Sequence, residues 1–390
     1  MALRGKVIDS AGQPVTAARV DIATAAPRIG QGIFCPSCYR DCAKWTETDD
    51  AGQFELRELD PMLKFQLLCT APGKEAHLSK LIDPLLGSLT ITLEPAPTDL
   101  PPERTIRRRI VDAQGTPIRA ALVSPWGAKE GERRWWGVVE NCRAAVSDRD
   151  GRFTMLVPEG LEGVDLEIVA DGYAGVQAEL VAPGQEEQPI VVPRGARVTG
   201  TLIFEGKPAA AARIAVVQMD RGASNHFIKA VEATTDAEGH FAFDYLPASQ
   251  PYAIFTPLTG KDEGPVLTTK KFTVPADGES RDLGTLTMIP ALHLTGRVEL
   301  PPGQTLPRGA RLSLDRDPAW DLAQVEISAG GRFKATGLAP ETYELRFPIK
   351  DFAVDSAALN YQALSDQSFG IRITESIDDL RVPLRAAPAK

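Results

Sequence analysis

Apolar and polar residues alternate along most of this chain, in short runs that glycine and proline separate. In the first stretch, 5–22, a Gly-x-Pro turn at Gly12–Pro14 lies between two alternating runs, and similar stretches return at 109–123, 200–216 and 296–314. A period of two residues is typical of strands with one buried face, and glycine and proline mark the reversals between them. Because no stretch sustains a 3.6-residue period, the pattern predicts an all-β chain.

A second motif, a short turn that leads to a phenylalanine, also occurs four times. Its copies are Thr48–Phe54, Ser147–Phe153, Thr235–Phe241 and Ser328–Phe333. In the first three copies an aspartate precedes the glycine, and an aspartate side chain starts a turn by accepting nearby backbone N–H groups. The glycine supplies a positive φ angle, and the apolar residues after it restart a strand. We interpret the motif as turn chemistry, weakened in the fourth copy, which lacks the aspartate.

The Gly-x-Pro turns and their fourth counterpart are evenly spaced. From Gly12 to Gly115 is 103 residues, from Gly115 to Gly206 is 91, and from Gly206 to Gly303 is 97. A period near ~95 residues fits a small β-sandwich of about seven short strands. We predict four modules, with a proline-rich, semi-rigid linker after the first. The predicted ranges are 1–95, 104–193, 194–289 and 290–390, with the linker at 96–103 and an insertion at 23–44.

The repeated residues resemble a known family. Gly-x-Pro-x-x-x-Ala-x-Val at 12–20, Thr-Asp-x-x-Gly-x-Phe at 48–54 and Ala-x-Gly-Tyr at 170–173 are similar to the carboxypeptidase regulatory-like domain. The resemblance implies a tandem array of transthyretin-like, immunoglobulin-like β-sandwiches. It carries no catalytic residues, because the peptidase domain of the namesake enzymes has no counterpart here. In bacteria such repeats resemble parts of cell-surface and secreted proteins, so the resemblance implies an extracytoplasmic location by analogy.

The charge balance excludes some partners. The chain has 43 Lys and Arg against 52 Asp and Glu, which gives a net charge of -9 and a pI near 5.2. Duplex nucleic acid and anionic lipid both require a basic surface, so neither is expected as a partner. No run of about 18 apolar residues is present, so we expect no membrane insertion. The chain runs from Met1 straight into strand-like alternation, so we expect no signal peptide in it.

Three of the five cysteines lie close together, inside the predicted insertion of module 1. Cys35, Cys38 and Cys42 have the spacing C-x2-C-x3-C, which supplies one C-x2-C pair where zinc ribbons have two and fits iron–sulfur motifs poorly. Three hypotheses stay open: a disulfide that fixes the insertion, a structural metal site, or free or redox-active thiols. We expect no other cofactor. The hypothesised fourth metal ligand is Cys69, Cys142 or His77, although Cys69 lies mid-strand among apolar residues and is predicted to be a core residue.

Tryptophans mark the corresponding segment of module 2, Gly127–Cys142. Trp135 and Trp136 follow two arginines there, and Trp126 lies just before it. Adjacent side chains of a strand point to opposite faces, so at most one of the paired tryptophans enters the core. The other would pack at a module junction, or would lie exposed and stack on a sugar ring or a partner surface.

Signals for catalysis are weak. The four histidines are scattered, and the chain has neither His-Glu-x-x-His, Gly-x-Ser-x-Gly nor a phosphate-binding glycine loop. Asp148–Gly151 resembles the start of a calcium loop but is interpreted as a turn. Arg107–Arg109 are expected on a solvated strand face. We therefore predict a non-enzymatic protein.

The predicted function is that of a structural or interaction protein that presents its insertions on repeated β-sandwiches. Its expected partners are a protein or a surface glycan, together with self-association through open sheet edges. Two alternatives remain, namely a carbohydrate-binding accessory protein that uses Trp126, Trp135 and Trp136, and a thiol or metal protein built on Cys35, Cys38 and Cys42.

Overall fold

The structure is a computed structural model that describes residues 1–28, 41, 44–97, 99–185, 188–219, 231–316, 319 and 321–387. In these residues the strands form four successive pairs of sheets, so the chain is an all-β, multi-module β-sandwich as predicted. We call the four pairs modules 1 to 4. The exact predicted limits of the modules stay a prediction. Short 3-10 turns occur at Pro84–Leu86, Pro102–Arg104 and Ser356–Ala358.

Modules 1 and 2 each pair a three-stranded sheet with a larger one. Module 1 has the sheets β4-β1-β7 and β3-β2-β5-β6, with β1 Leu3–Asp9, β2 Arg19–Pro27, β3 Trp45–Glu47, β4 Gln53–Leu56, β5 Leu63–Thr70, β6 His77–Leu78 and β7 Leu89–Leu93. Module 2 has the sheets β12-β8-β15 and β10-β9-β13-β14, with β11 also on β9; its strands are β8 Thr105–Val111, β9 Leu122–Glu130, β10 Arg133–Trp136, β11 Ala145–Val146, β12 Arg152–Leu156, β13 Gly163–Val169, β14 Val176–Val181 and β15 Gln188–Val191.

Modules 3 and 4 repeat this plan with a fourth strand in the first sheet. Module 3 has the sheets β17-β16-β20, with β23 also on β16, and β19-β18-β21-β22; its strands are β16 Ala196–Phe204, β17 Lys207–Pro208, β18 Arg213–Gln218, β19 Val231–Thr234, β20 His240–Leu246, β21 Pro251–Phe255, β22 Lys270–Thr273 and β23 Ser280–Thr287. Module 4 has the sheets β27-β24-β32-β29 and β26-β25-β28-β31-β30; its strands are β24 Leu292–Glu299, β25 Arg311–Arg316, β26 Asp321–Glu326, β27 Arg332–Leu338, β28 Thr342–Arg346, β29 Phe352–Val354, β30 Gln362–Ser365, β31 Ser368–Arg372 and β32 Ile377–Ala386.

The four modules share one connectivity. In each, the first strand pairs in parallel with the last strand of the first sheet, as β1 with β7, while the neighbouring pairs in the same sheet are antiparallel. Each module also has its own hydrophobic core, to which both of its sheets contribute side chains, such as Val7 and Phe54 from one sheet of module 1 and Val20 and Leu67 from the other. Burial of apolar surface between two sheets is therefore what stabilises each module.

The repeated turn is where the chain crosses from one sheet to the other. In module 1 it connects β3 to β4, and the buried Thr48 hydroxyl accepts the Ala18 N–H at 2.8 Å and donates to the Val15 carbonyl at 2.6 Å. Ser147 and Thr235 make the equivalent pairs of hydrogen bonds in modules 2 and 3. In module 4 the position is Ile327, which keeps only the backbone part, an N–H donated to Ala310 O at 2.9 Å.

The aspartate of the turn acts as the sequence predicts. Asp49 Oδ1 accepts the backbone N–H groups of Ala51 and Gln53 at 2.9 and 2.8 Å, and Asp148 and Asp236 accept the same two groups in their copies. In the fourth copy Ser328 Oγ accepts the Arg332 N–H at 3.0 Å. The hydrogen bonds confirm an Asx turn, in which the Asp148 oxygen is already used by the backbone.

The turn glycine is pressed against the first strand. Gly52 has φ +72°, its carbonyl accepts the Val7 N–H at 2.7 Å, and a Cβ placed on it would lie closer than 3.0 Å to the Val7 carbonyl oxygen. Gly151, Gly239 and Gly331 meet the first strands of their modules in the same way. No other residue type fits such a position without backbone movement, because every other side chain begins with a Cβ.

A second small-residue position lies opposite the phenylalanine of the motif. Gly5 is the register partner of Phe54, and a Cβ there would lie 2.6 Å from the phenylalanine ring. Glycine also faces the ring in modules 3 and 4, but module 2 has Arg108 at this place. Arg108 is buried, burial lowers its pKa, and its guanidinium donates to Arg107 O and to Gln185 Oε1. The expectation of a fully solvated arginine face is therefore wrong at Arg108.

Replacing Gly52 by alanine should destabilise module 1 much more than replacing Gly12, although both glycines have a positive φ. Gly12 has φ +78° with no heavy atom within 4 Å of its Cβ position, so Gly12→Ala should lose about 1–2 kcal/mol from the left-handed backbone alone. Gly52→Ala adds the clash with Val7, worth about 1–3 kcal/mol more. Native-state hydrogen exchange of β1 and β2 amides measures both opening free energies; equal losses in the two variants would contradict the close contact.

Candidate functional site

The predicted insertion of module 2 forms a hairpin of β9 and β10 at the edge of a sheet. Trp135 packs against the core of module 2, and its indole N–H donates to the Val138 carbonyl at 3.3 Å. Trp136 faces the other way and is 49% exposed. Trp126 is half-buried beside a register shift in β9. Trp136 is thus the predicted stacking residue that presents the most aromatic surface to solvent.

Arg134 holds a fixed place next to Trp136. Its guanidinium carbon lies 5.1 Å from the centroid of the Trp136 ring, and Nη2 lies 3.3 Å from Asp165 Oδ1 and 3.4 Å from Glu179 Oε2. The side chain can cross β9 because Gly127 lies between Trp136 and Asp165 in the register and has no side chain of its own. A guanidinium over an indole adds about 0.5–1 kcal/mol at an exposed site. The site is therefore an aromatic platform with a charged neighbour, supported by three strands.

The cysteine cluster Cys35, Cys38 and Cys42 lies outside the described residues. Cys69 and Cys142 are free and buried, one in the core of module 1 and the other in the core of module 2. Burial raises the pKa of each thiol to about 12, and for Cys69 the nearby Asp21 adds to the effect. Both thiols are therefore protonated in the folded protein, and the hypothesised fourth ligand of the cluster stays a prediction. Within the described part of the chain, no group of three or more His, Cys, Asp or Glu is placed to hold a metal ion.

A second candidate site is the buried junction of modules 3 and 4, which is built around Arg316. The side chain of Arg316 is 1% exposed and lies over the Phe255 ring, with its guanidinium carbon 5.1 Å from the centroid. It donates from Nε and Nη2 to the two carboxylate oxygens of Asp321, at 2.9 and 2.6 Å, and from Nη2 to the Thr256 carbonyl at 2.8 Å. Arg316 and Asp321 belong to module 4, while Phe255 and Thr256 belong to module 3.

Further acceptors complete this junction. Glu341 Oε2 lies 3.5 Å from Arg316 Nη1, and Glu341 also accepts the backbone N–H and the hydroxyl of Thr269 of module 3. Asp321 Oδ2 accepts the Leu258 N–H at 2.7 Å. Burial alone would lower the pKa of Arg316, but the charges of Asp321 and Glu341 raise it above its ordinary value, so the guanidinium stays charged. A buried charge of this kind is tolerated because it is paired and hydrogen-bonded.

The two modules also exchange apolar side chains at the junction. Leu258, from the segment that follows β21 of module 3, is buried in the core of module 4. Ala319, from the β25–β26 hairpin of module 4, is buried against Ala215 and Phe255 on the outer face of module 3. A backbone hydrogen bond from Thr336 N to Gly260 O, 3.1 Å long, joins the same segment to β27. The junction therefore combines apolar burial, backbone pairing and a buried ion network.

Comparisons with solved structures find proteins that resemble this chain with low TM-scores. The chain is similar to the Bacillus anthracis TIE protein at 11% identity and a TM-score of 0.21, over 95% of this chain and 68% of that one. It is similar to a streptococcal ancillary pilin at 14% identity and a TM-score of 0.24, over 74% of this chain and 100% of that one. The minor pilin of Streptococcus agalactiae gives 13% identity and a TM-score of 0.25, over 50% and 98%. Because these TM-scores lie well below 0.5, the likenesses are no basis for assigning a function.

No family model matches the chain, and no curated protein matches it. The resemblance to the carboxypeptidase regulatory-like domain therefore stays a prediction. Among the described residues, none of the helices has both the length and the apolar character needed to cross a membrane.

The two buried thiols should resist a thiol reagent in the folded protein. A disulfide-exchange reagent added at pH 8 should label neither Cys69 nor Cys142, because thiols with a pKa of about 12 are almost fully protonated there and their cores exclude the reagent. Peptide mass spectrometry identifies the labelled positions, and labelling after denaturation serves as the control. Rapid native labelling of either residue would contradict the burial.

Proposed function

We propose that this chain is a non-enzymatic structural or interaction protein of the cell surface or extracytoplasmic space, which displays binding surfaces on a row of β-sandwich modules. The observation that carries the proposal is the buried Arg316 junction. Neighbouring domains move relative to each other by default unless their interface is large and apolar. A buried, bidentate ion pair with fixed partners in both modules favours one orientation instead, and a fixed orientation suits a scaffold that holds surfaces at set distances.

The extracytoplasmic location rests on the resemblance of the repeated motif to domains of bacterial surface and secreted proteins. This location is proposed for the whole native protein. Protease treatment of intact cells that carry the native protein tests it, since an extracytoplasmic protein should be cleaved without lysis. Cleavage that requires lysis would contradict the location and leave the scaffold proposal standing.

Loss of Arg316 should weaken both modules at once. Arg316→Met leaves the Asp321 and Glu341 carboxylates without their shared cation, and removing one partner of a buried ion pair costs about 3–5 kcal/mol. Hydrogen exchange should show faster opening of β21 in module 3 together with β25 in module 4, while β8 in module 2 stays unchanged.

Lys334→Met is the matched control for this experiment. Lys334 also pairs across the junction, with Glu263 at 3.0 Å, but its side chain is 59% exposed and that of Glu263 is 73% exposed. Exposed ion pairs contribute little, so this variant should behave like the parent. If Arg316→Met changes β25 alone, modules 3 and 4 are not coupled and the rigid scaffold is refuted.

Carbohydrate binding at Trp136 is the second candidate function, because this indole is exposed and Arg134 is fixed beside it. Indole faces stack on apolar sugar faces, and a guanidinium next to them donates to hydroxyl groups. Protein partners also favour exposed tryptophan and arginine.

A polysaccharide titration distinguishes these partners. If a glycan binds this platform, the tryptophan fluorescence of the parent should change on titration, and Trp136→Ala should remove the change. Trp45→Ala is the control, since Trp45 is 42% exposed and has its own arginine, Arg19, 4.1 Å from the ring centroid. A parent that responds to no polysaccharide would exclude the glycan and leave a protein partner for Trp136.

A further inference from the structure

A row of four residues, three of them large and apolar, crosses the outer face of module 1, and we call it the apolar row. Register places Trp45 next to Asp21, Asp21 next to Leu68, and Leu68 next to Leu78, on the four strands of one sheet. Trp45 is 42% and Leu78 54% exposed. Of the ten large apolar residues exposed in the described part of the chain, five lie between 45 and 86 of module 1. Exposed apolar side chains are therefore concentrated on this module, which is typical of an interaction surface.

The equivalent row of module 3 can be identified from the alanine that donates to the turn hydroxyl. Ala18 and Ala212 each donate a backbone N–H to the turn hydroxyl of their module, at 2.8 and 2.9 Å. Three residues further along lie Asp21 in module 1 and Ala215 in module 3. Asp21 pairs with Leu68 in the register, as Ala215 pairs with Phe255. The Leu68 row of module 1 is thus equivalent to the Phe255 row of module 3.

In module 3 this row is covered by another module. Ala319, between β25 and β26 of module 4, packs on Ala215 and Phe255, which are each 1% exposed, and Arg316 lies over the Phe255 ring. The junction shows what covers this face in this fold, namely the hairpin between the second strand of a module and its edge neighbour. In module 2 the corresponding hairpin is β9–β10, with the exposed tip Gly131–Glu132.

The other two modules have polar residues on the equivalent row. Module 2 places Ser124 opposite Glu167, and module 4 places Ser313 opposite Arg346. On the partner strand, the residue of this row is apolar in modules 1 and 3, where it is Leu68 and Phe255, and charged in modules 2 and 4, where it is Glu167 and Arg346. On this face the chain therefore repeats as two pairs of modules, 1 with 2 and 3 with 4. In the second pair, the row of module 3 packs against the β25–β26 hairpin of module 4.

In the described residues of a single chain, the ends of the apolar row of module 1 stay exposed next to module 2. An ion pair of Arg143 with Glu75, 2.6 Å long, links the two modules, and both side chains are solvent-accessible. Trp45 and Leu78 remain exposed beside this contact. Each of the two surfaces presents a cation and an anion, because Glu130 and Arg133 pair in register at the hairpin tip and the row carries the bonded pair Arg19 and Asp21.

We propose that the Trp45–Leu78 row of module 1 docks the β9–β10 hairpin of a second copy of this chain. The proposal deepens the scaffold function on which it rests, by naming the partner as the chain itself. Each copy offers a row on one module and a hairpin on another, so the contact is heterologous. It closes into a dimer where two such contacts form reciprocally and otherwise extends into a chain of copies.

Sedimentation of the full chain over a wide range of concentration tests the docking. The parent should associate as its concentration rises. Trp45→Ser combined with Leu78→Ser should raise the dissociation constant at least about tenfold, which corresponds to 1.4 kcal/mol. Leu364→Ser, at a leucine of module 4 that is 52% exposed, should leave the association unchanged. Unchanged hydrogen exchange in β1 and β5 shows that the row variant stays folded.

Mixing two variants identifies the surfaces that meet. Arg133→Glu, which reverses the charge at the hairpin tip, should also prevent self-association. The row variant and the Arg133→Glu variant should nevertheless associate with each other, since one keeps an intact hairpin and the other an intact row.

A parent that stays monomeric at all concentrations, or a row variant that associates like the parent, would refute the proposal. Burial of Trp45 that is independent of concentration would show that the row is closed within one chain, which refutes it as well. The coupling of modules 3 and 4 by Arg316 is measured separately, so the scaffold function can survive this failure.

Discussion

The contact between the turn glycine and the first strand constrains every module. At Gly52 the backbone of the turn lies so close to the Val7 carbonyl that no Cβ fits, and the preceding Thr48 hydroxyl bonds two backbone groups on the way to the second strand. The glycine contact holds the turn against the first strand of one sheet, and the hydroxyl bonds tie the same turn to the segment that leads into the other sheet. The turn therefore fixes the point where the chain passes between the two sheets, whose inner faces form the core.

Local chemistry explains why the fold could be predicted from the sequence. Asp49, Gly52 and the alternating residues after them act within a few positions of one another, so the residue types alone indicate an Asx turn, a positive φ angle and a new strand. The sequence could also predict that Trp135 and Trp136 point to opposite faces, because alternation is a property of any strand. These predictions need no knowledge of distant parts of the chain.

Contacts between distant residues explain what the sequence could not show. Arg108 looks like its solvated neighbours, yet it is buried with Gln185, which lies 77 residues away. Arg316 and Asp321 are five residues apart, but the groups that make their pair a junction, Thr256 and Leu258, belong to another module. The position of Arg134 over Trp136 depends on Asp165, 31 residues away, and on the missing side chain of Gly127. No local pattern indicates such partners.

Core packing and surface contacts use different residues of each module, which explains how one fold can support different surfaces. The turn, the glycine opposite the phenylalanine and the inner faces are fixed by packing, where a change of one methylene is felt. The outer rows take no part in the cores, so their residues can differ between modules at little cost in stability. This freedom accounts for the apolar Leu68 and Phe255 at the position where modules 2 and 4 have Glu167 and Arg346. The repeated turn therefore specifies a scaffold, and the outer rows decide which modules adhere to each other.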